Sequence, residues 1–522
     1  MDNINKELSV YRSIKAKAIS AFNQNKFEES LDYIRTAALL AWQCHCGLWY
    51  DSELEILLKS IGKGLNDKNV SGSETRAITE NTSGKKIVYI TSAVNVGGLT
   101  ILLNQWINLL KNDFEEKVAY VTNSYTSNNP FYGTDTAFGD PELKLYNLSR
   151  KQKYTDRIKQ LTKALNEISP DYIVLFIDPD DVIAVSAING LDIHPKIIYV
   201  NHTDHAFWLG RSIIDNLACF RKEGALHAKQ YRDIDNSFVI PISTNIKPEK
   251  IFSKEDFNID KYSTISISVG TFPKVLGDKN PNYFHTITRL LEQFPDHHHF
   301  FITNPPDKSV LEKYMPDKPH IRKRLIIDGP FSNLSPYYDI ADFLIETFPI
   351  TGYTVQVEAM ASKLPIVAFK NNFALFSSAG NLSSYPFAAS TENEIIDFSA
   401  KLIKDPEIRK KLGNYLYSYY SKELNPKNTY NMLKGMINHE SLNLYNNITN
   451  KRTYDVEDVR MFTCRNFRPY KHLILQSVLK KSSFSVREKA GFYYNALKRK
   501  EFNSKKEMFR YLIPVISSSN SL

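Results

Sequence analysis

From Lys85 onward the chain alternates short apolar runs with stretches of helical spacing. KKIVYITS, EKVAYVTN, DYIVLFID, KIIYVNH and SFVIPIST are β-branched runs of strand length. STISISVG, HHFFITN, RLIIDG, ADFLIET and PIVAFK form a second series. ILLNQWINLLKN, YFHTITRLLEQF and TVQVEAMAS lie among them with apolar residues three or four apart. Near-continuous Ile/Val strands separated by helices predict parallel sheets covered on both faces. The fold expected is α/β: two Rossmann-like doubly wound domains facing a cleft, over 85–250 and 262–425.

The flanks read differently. Residues 1–66 are helical in pattern, with Phe22, Phe27, Leu31, Ile34, Ala38 and Trp42 mostly three or four apart. This resembles one helical hairpin of the kind stacked in tetratricopeptide arrays, expected as an N-terminal helical domain, and no longer solenoid repeat follows. Residues 67–84 are polar and turn-rich and read as a linker. Residues 426–522 are expected to form crossover helices and a basic helical tail.

Composition narrows the function class. A chain of 522 residues, 42% hydrophobic and 24% charged, has ample core for several domains. Its apolar runs fall short of the roughly 20 residues a membrane span needs, and MDNINKELSVYRS lacks a signal pattern. The expected location is cytoplasmic. The net charge of +9 is uneven: from Lys451 to the end Lys and Arg outnumber Asp and Glu by about ten, and the rest of the chain is close to neutral. That tail either lies on an anionic membrane surface, placing the protein peripherally at the inner face of the plasma membrane, or is a solvated helix face. No nucleic-acid module accompanies it. Cys44, Cys46, Cys219 and Cys464 read as reduced thiols, and no metal site is expected.

In doubly wound folds, ligands sit beyond the carboxyl ends of the strands. Gly97 and Gly98 follow the first strand, where backbone N–H groups can approach a phosphate or sugar, or simply make a tight turn. His202, Asp204 and His205 follow a later strand in NHTDHAFWLG. Paired histidines beside an acid suit proton shuttling or hydrogen bonds to a sugar hydroxyl. Lys274 and Lys279, after the first strand of the second series, are placed to neutralise a diphosphate. The acids of IDPDD (Asp178, Asp180, Asp181) read as a helix cap in preference to a metal motif.

The densest signal is IETFPITGYTVQVEAMASKLPIVAF, Ile345 to Phe369. Glu346 ends a strand, and a helix is expected from Thr354 to Ala361. Thr351, Gly352, Tyr353 and Thr354 then present N–H groups and hydroxyls at a helix N-terminus, an anion site. Glu358, a little over one turn in, suits the two hydroxyls of a ribose, and also partly serves the helix dipole. Glu346 is placed to hold sugar hydroxyls or face the reacting carbon.

These residues resemble the nucleotide-sugar signature of GT-B glycosyltransferases. Glu346, Phe348, Glu358, Ala359, Met360, Ala361 and Pro365 match the pattern of glycosyltransferase family 4. The two acids stand farther apart than in that family, and Lys363 replaces a Gly. FPITGYT instead resembles the diphosphate loop of the O-GlcNAc transferase-like family 41, with Thr351 where that family has Asn. Lys279 matches a family diphosphate lysine, while Thr271 stands in place of the arginine. NHTDHAFWLG resembles a motif of bacterial GT-B enzymes. The resemblance spans roughly Lys85 to Asn425.

It implies a hexosyltransferase-type glycosyltransferase for cell-surface glycan (capsule, lipopolysaccharide or related), taking a nucleotide-diphosphate sugar, with UDP the expected nucleotide. No cofactor or metal is required if helix N-termini and Lys279 neutralise the leaving group. Family 4 implies retention at the sugar carbon and family 41 inversion; Glu346 and EAMA favour retention. The acceptor is a glycan, a lipid-linked glycan or a protein. Two other readings stand: a protein O-glycosyltransferase gripping polypeptide with its N-terminal helices, and a non-catalytic GT-B-like binding protein.

Overall fold

The structure is a computed structural model that describes residues 2–44, 46–66, 84–94, 98–124, 140–244, 246, 252–276, 281–306, 308–329, 334–370, 385–438, 489–490 and 494. Most of the basic tail therefore lies outside the described residues, as do Gly97, Lys279 and Cys464. The chain forms two compact units, which divide at Val239/Ile240.

The first unit holds a seven-stranded sheet in the order β3-β2-β1-β4-β5-β6-β7. Its strands are β1 (Lys86–Thr91), β2 (Glu116–Ser124), β3 (Lys144–Ser149), β4 (Tyr172–Phe176), β5 (Lys196–Asn201), β6 (Asn216–Cys219) and β7 (Ser237–Val239). Every neighbouring pair is parallel. The order reverses at β1, the switch point of a Rossmann sheet. The central strands are buried along their length because helices cover both faces.

The helices Asp2–Asn23, Phe27–Cys44 and Ser52–Asn66 belong to this unit. Tyr11, Leu31, Leu58 and Ile61 share one apolar core with Ile183, Phe207 and Trp208. The N-terminal helices thus pack into the same core as the first sheet's strands and helices. Gly62 and Gly190 permit the contact between Ser52–Asn66 and Val182–Asn189: a Cβ on Gly62 would stand 2.1 Å from the Ser186 carbonyl.

The second unit repeats the topology with six parallel strands, order β10-β9-β8-β11-β12-β13. These are β8 (Thr264–Val269), β9 (His297–Ile302), β10 (Leu325–Asp328), β11 (Phe343–Ile345), β12 (Ile366–Phe369) and β13 (Ala388–Ala389). Two histidines of β9, His297 and His299, are satisfied inside the sheet layer. His297 bonds Thr264 Oγ1 and Ser266 Oγ, both at 2.8 Å, and His299 bonds Ser266 Oγ and the Tyr283 hydroxyl, both at 2.7 Å. Burial, with His299, His298 and Arg324 adding to it, pushes His297 well below the usual histidine value; burial alone takes His299 down to about 3.

Candidate functional site

In the first unit the loop after β5 carries His202, Asp204 and His205. His202 Nε2 lies 2.9 Å from the Ile177 carbonyl at the end of β4. A carbonyl only accepts, so Nε2 holds the proton and the neutral ring keeps its lone pair on Nδ1. Burial holds its pKa below the usual value; the Ile177 contact opposes this. A neutral imidazole with a fixed tautomer is a competent proton acceptor.

Asp204 sits differently from a free catalytic acid. Arg221 grips it in a fork, Nε to Oδ2 at 2.8 Å and Nη2 to Oδ1 at 2.9 Å. Burial by itself would raise the carboxyl, but Arg221 and His205 outweigh it and hold Asp204 far below the carboxylate range. Gly224 makes room: a Cβ there would lie 2.8 Å from Asp204 Oδ2. His205 Nδ1 stands 3.6 Å from Asp204 Oδ1. Asp204 thus shapes the loop and orients His205. Arg221 escapes sequence reading because nothing local marks its partner.

The rest of the motif is core. Trp208 stacks on Tyr199 with centroids 4.5 Å apart, and the Arg232 guanidinium lies 4.2 Å from the Trp208 ring centroid. Arg232 also donates to the carbonyls of Trp49 and Ala206. Glu55, from the N-terminal helices, accepts from the backbone of Gly210 at 2.7 Å and from Ser212 Oγ at 2.6 Å. The N-terminal helices therefore hold the loop that bears His202.

Of the IDPDD acids, Asp181 caps the helix Val182–Asn189 through Oδ1 and accepts Ser92 and Thr122 hydroxyls on Oδ2, each at 2.5 Å. Asp180 pairs with Arg35. Asp178 is different: burial, then Asp180 and Asp181, push its carboxyl up to about 7. It directly follows the carbonyl that fixes His202, and it is a candidate acid–base group that sequence reading grouped with its neighbours as a helix cap; only Asp181 makes that cap. An acid closing a buried strand was the available signal. Gly98 opens the helix Gly98–Leu110 after β1.

In the second unit, β11 delivers Glu346, 3% exposed, whose Oε2 accepts the Phe369 N–H at 2.7 Å. The following helix runs Tyr353–Ala361, and its N-cap is Gly352, which has no side chain to cap with. Lys274 comes from the loop after β8, and its Nζ donates to the Thr351 carbonyl at 3.2 Å. A Cβ on Gly352 would lie 3.6 Å from that Nζ. Burial depresses the Lys274 pKa, and Glu346 opposes this.

A lysine at the positive end of a helix is electrostatically unfavourable until an anion arrives. The turn Thr351–Gly352, with Tyr353 and Thr354 at the helix start, therefore carries an excess of positive potential. One turn further in, Glu358 Oε2 accepts the Tyr338 hydroxyl at 2.9 Å. Burial pushes Glu358 up to about 7, against the pull of that bond. Among the described residues no group of three or more His, Cys, Asp and Glu is placed to hold a metal ion. No described helix is long and apolar enough to cross a membrane.

No model of a known protein family matches the chain, and no curated protein matches it. Solved structures do. Sucrose-phosphate synthase from Thermosynechococcus elongatus is 12% identical with a TM-score of 0.52, over 68% of this chain and 99% of that one. HepE of Anabaena, solved in complex with UDP-glucose, is 12% identical with a TM-score of 0.55, over 68% and 99%. A glycosyltransferase from Rickettsia africae is 12% identical with a TM-score of 0.52, over 69% and 99%. With two all-parallel sheets, each reversing its strand order at its first strand, this chain has the GT-B fold of glycosyltransferases.

Proposed function

We propose that the protein is a glycosyltransferase that binds a nucleotide-diphosphate sugar on its second unit and transfers the sugar to a cell-surface glycan acceptor. The observation that carries this reading is the meeting of the Lys274 ammonium with the uncapped start of Tyr353–Ala361. A diphosphate there accepts from Lys274, from the first helix amides and from the Thr351 and Thr354 hydroxyls. The same contacts strengthen as charge builds on the leaving diphosphate. Glu358 holds ribose hydroxyls, and Glu346 holds the sugar. On the first unit, His202 Nδ1 takes a proton from an acceptor hydroxyl, with Asp178 as the second titrating group.

The likeness of EAMA to family 4 supports retention, neutralisation of the diphosphate by a helix N-terminus and lysine supports a metal-independent reaction, and the TGYT loop supports a kinship with family 41. HepE was solved with UDP-glucose, which makes UDP-sugars the first donors to try.

Thermal shift of the full chain against UDP-, GDP-, ADP- and CMP-sugars tests the reading, because a ligand of the folded state raises Tm by mass action. One nucleotide class is expected to raise Tm, and Lys274→Met to abolish the rise. No shift with any class, or an undiminished shift in the variant, overturns the proposal.

A further inference from the structure

The first unit contains a polar pocket lined by residues outside the β5 loop. Its cavity, of about 300 Å³, is lined by Arg35, Arg150 and Arg157 with Asn123, Gln152 and Tyr154. Arg35 comes from the N-terminal helix Phe27–Cys44, and Asn123 from the carboxyl end of β2. Arg150 and Gln152 lie on the turn after β3, and Arg157 in the first turn of Tyr154–Ile168.

The pocket's carboxylate is already engaged by a helix start. Glu28, also in the lining, accepts the backbone N–H of Tyr154 and of Thr155, both at 2.9 Å, and so caps that helix. Arg35 Nε is paired with Asp180 Oδ2 at 2.9 Å, and its Nη1 donates to the Tyr154 hydroxyl at 3.1 Å. Arg157 is 3% exposed and forms no ion pair among the described residues. Its Nη1 donates to the Thr122 carbonyl at 3.0 Å and Asn123 Oδ1 at 2.7 Å, while its buried Nε has no acceptor.

A buried guanidinium with an unused donor is costly, and Arg157 has no carboxylate paired with its charge among the described residues. A group with two or three anionic oxygens removes both penalties, and the planar fork of arginine matches such groups. Arg150, in the lining, is exposed.

We propose that this three-arginine pocket binds a phosphoryl or carboxylate group carried by the sugar acceptor, so that the acceptor is an anionic glycan or glycan carrier. The acceptor role rests on the glycosyltransferase reading above. The anion site itself rests only on the first unit.

The test uses the full chain carrying Lys274→Met, which disables the anion site of the second unit. Isothermal titration with inorganic phosphate and with glucuronate separates the phosphoryl from the carboxylate arm. At least one probe is expected to bind, and adding Arg150→Glu, an exposed change that spares the core, is expected to weaken it by about tenfold or more. Arg157→Gln should do the same if it folds; Arg150→Glu decides the matter if it does not. Binding of neither probe, or equal binding with and without Arg150→Glu, overturns the site. The nucleotide-sugar shift, read in the Arg150→Glu single variant, is expected to match that of the unaltered chain. Absence of that shift in the unaltered chain overturns the glycosyltransferase reading and leaves the anion site standing.

Discussion

The two units share strand order and direction, yet the carboxyl ends of their sheets are wired oppositely. In the first, the acids find internal partners: Asp204 with Arg221, Asp180 with Arg35, and Asp181 with a helix start and two hydroxyls. His202 stays neutral beside them. In the second, Lys274 stands by an uncapped helix start, so positive charge is concentrated there. On the proposed reading, one topology serves proton transfer on one unit and anion binding on the other. The fold supplies the platform, and a handful of loop residues set the chemistry.

The sharpest way to break this contrast is to strip each unit of its defining group. His202→Ala should lower the rate of sugar transfer by about 10³-fold while leaving the nucleotide-sugar thermal shift unchanged. A loss of donor binding would mean that the first unit is not a separate proton-handling site. Asp204→Asn leaves the Arg221 charge half-buried without its partner and should lower stability by about 3 kcal/mol, read as the urea midpoint. An unchanged midpoint would contradict the internal pairing. Lys274→Met should weaken nucleotide-sugar binding by about 100-fold with little change in Tm of the free protein.

Acid sharpens the contrast. His297 and His299 have folded-state pKa values below the unfolded value near 6.5. The unfolded chain therefore binds protons that the folded chain refuses. Their stabilisation is complete above about pH 6.5 and is lost as pH falls, by about 1.4 kcal/mol per pH unit for each histidine. Urea unfolding at pH 7.5 and pH 5 should show the loss, and His299→Gln should reduce its slope. The smallest effect is expected at Glu358. With its carboxyl near 7, Glu358→Gln should leave Tm almost unaltered at pH 7 and weaken nucleotide binding about tenfold or less. Equal affinity would remove Glu358 from the ribose contact.

Much of the fold was legible in the chain. Runs such as KIVYIT, YIVLF and TISISV are strands because a sheet covered on both faces needs continuous apolar sequence. Three strands were not legible. β3 is an edge strand with a largely exposed face, so KLYNLS carries no apolar run. β6 is only Asn-Leu-Ala-Cys, and β13 is two alanines; their strand character comes from pairing with a neighbour. The site was half legible in the same sense. The Gly352 turn, the helix after it and Asp181 as a cap are local patterns. The pairing of Asp204 with Arg221, the neutral tautomer of His202 and the raised Asp178 are not.

The sequence by itself determined the two strand series, their alternation with helices, and the loops where ligands should sit, because hydrophobic period and turn chemistry act between neighbours in the chain. Tertiary structure alone decided that the N-terminal helices join the first core, that Arg35 reaches Asp180, and which acids keep a charge to spend. Burial and charge pairing depend on segments that only folding brings together, and in a low-dielectric interior a single distant partner is enough to reverse the protonation of a group.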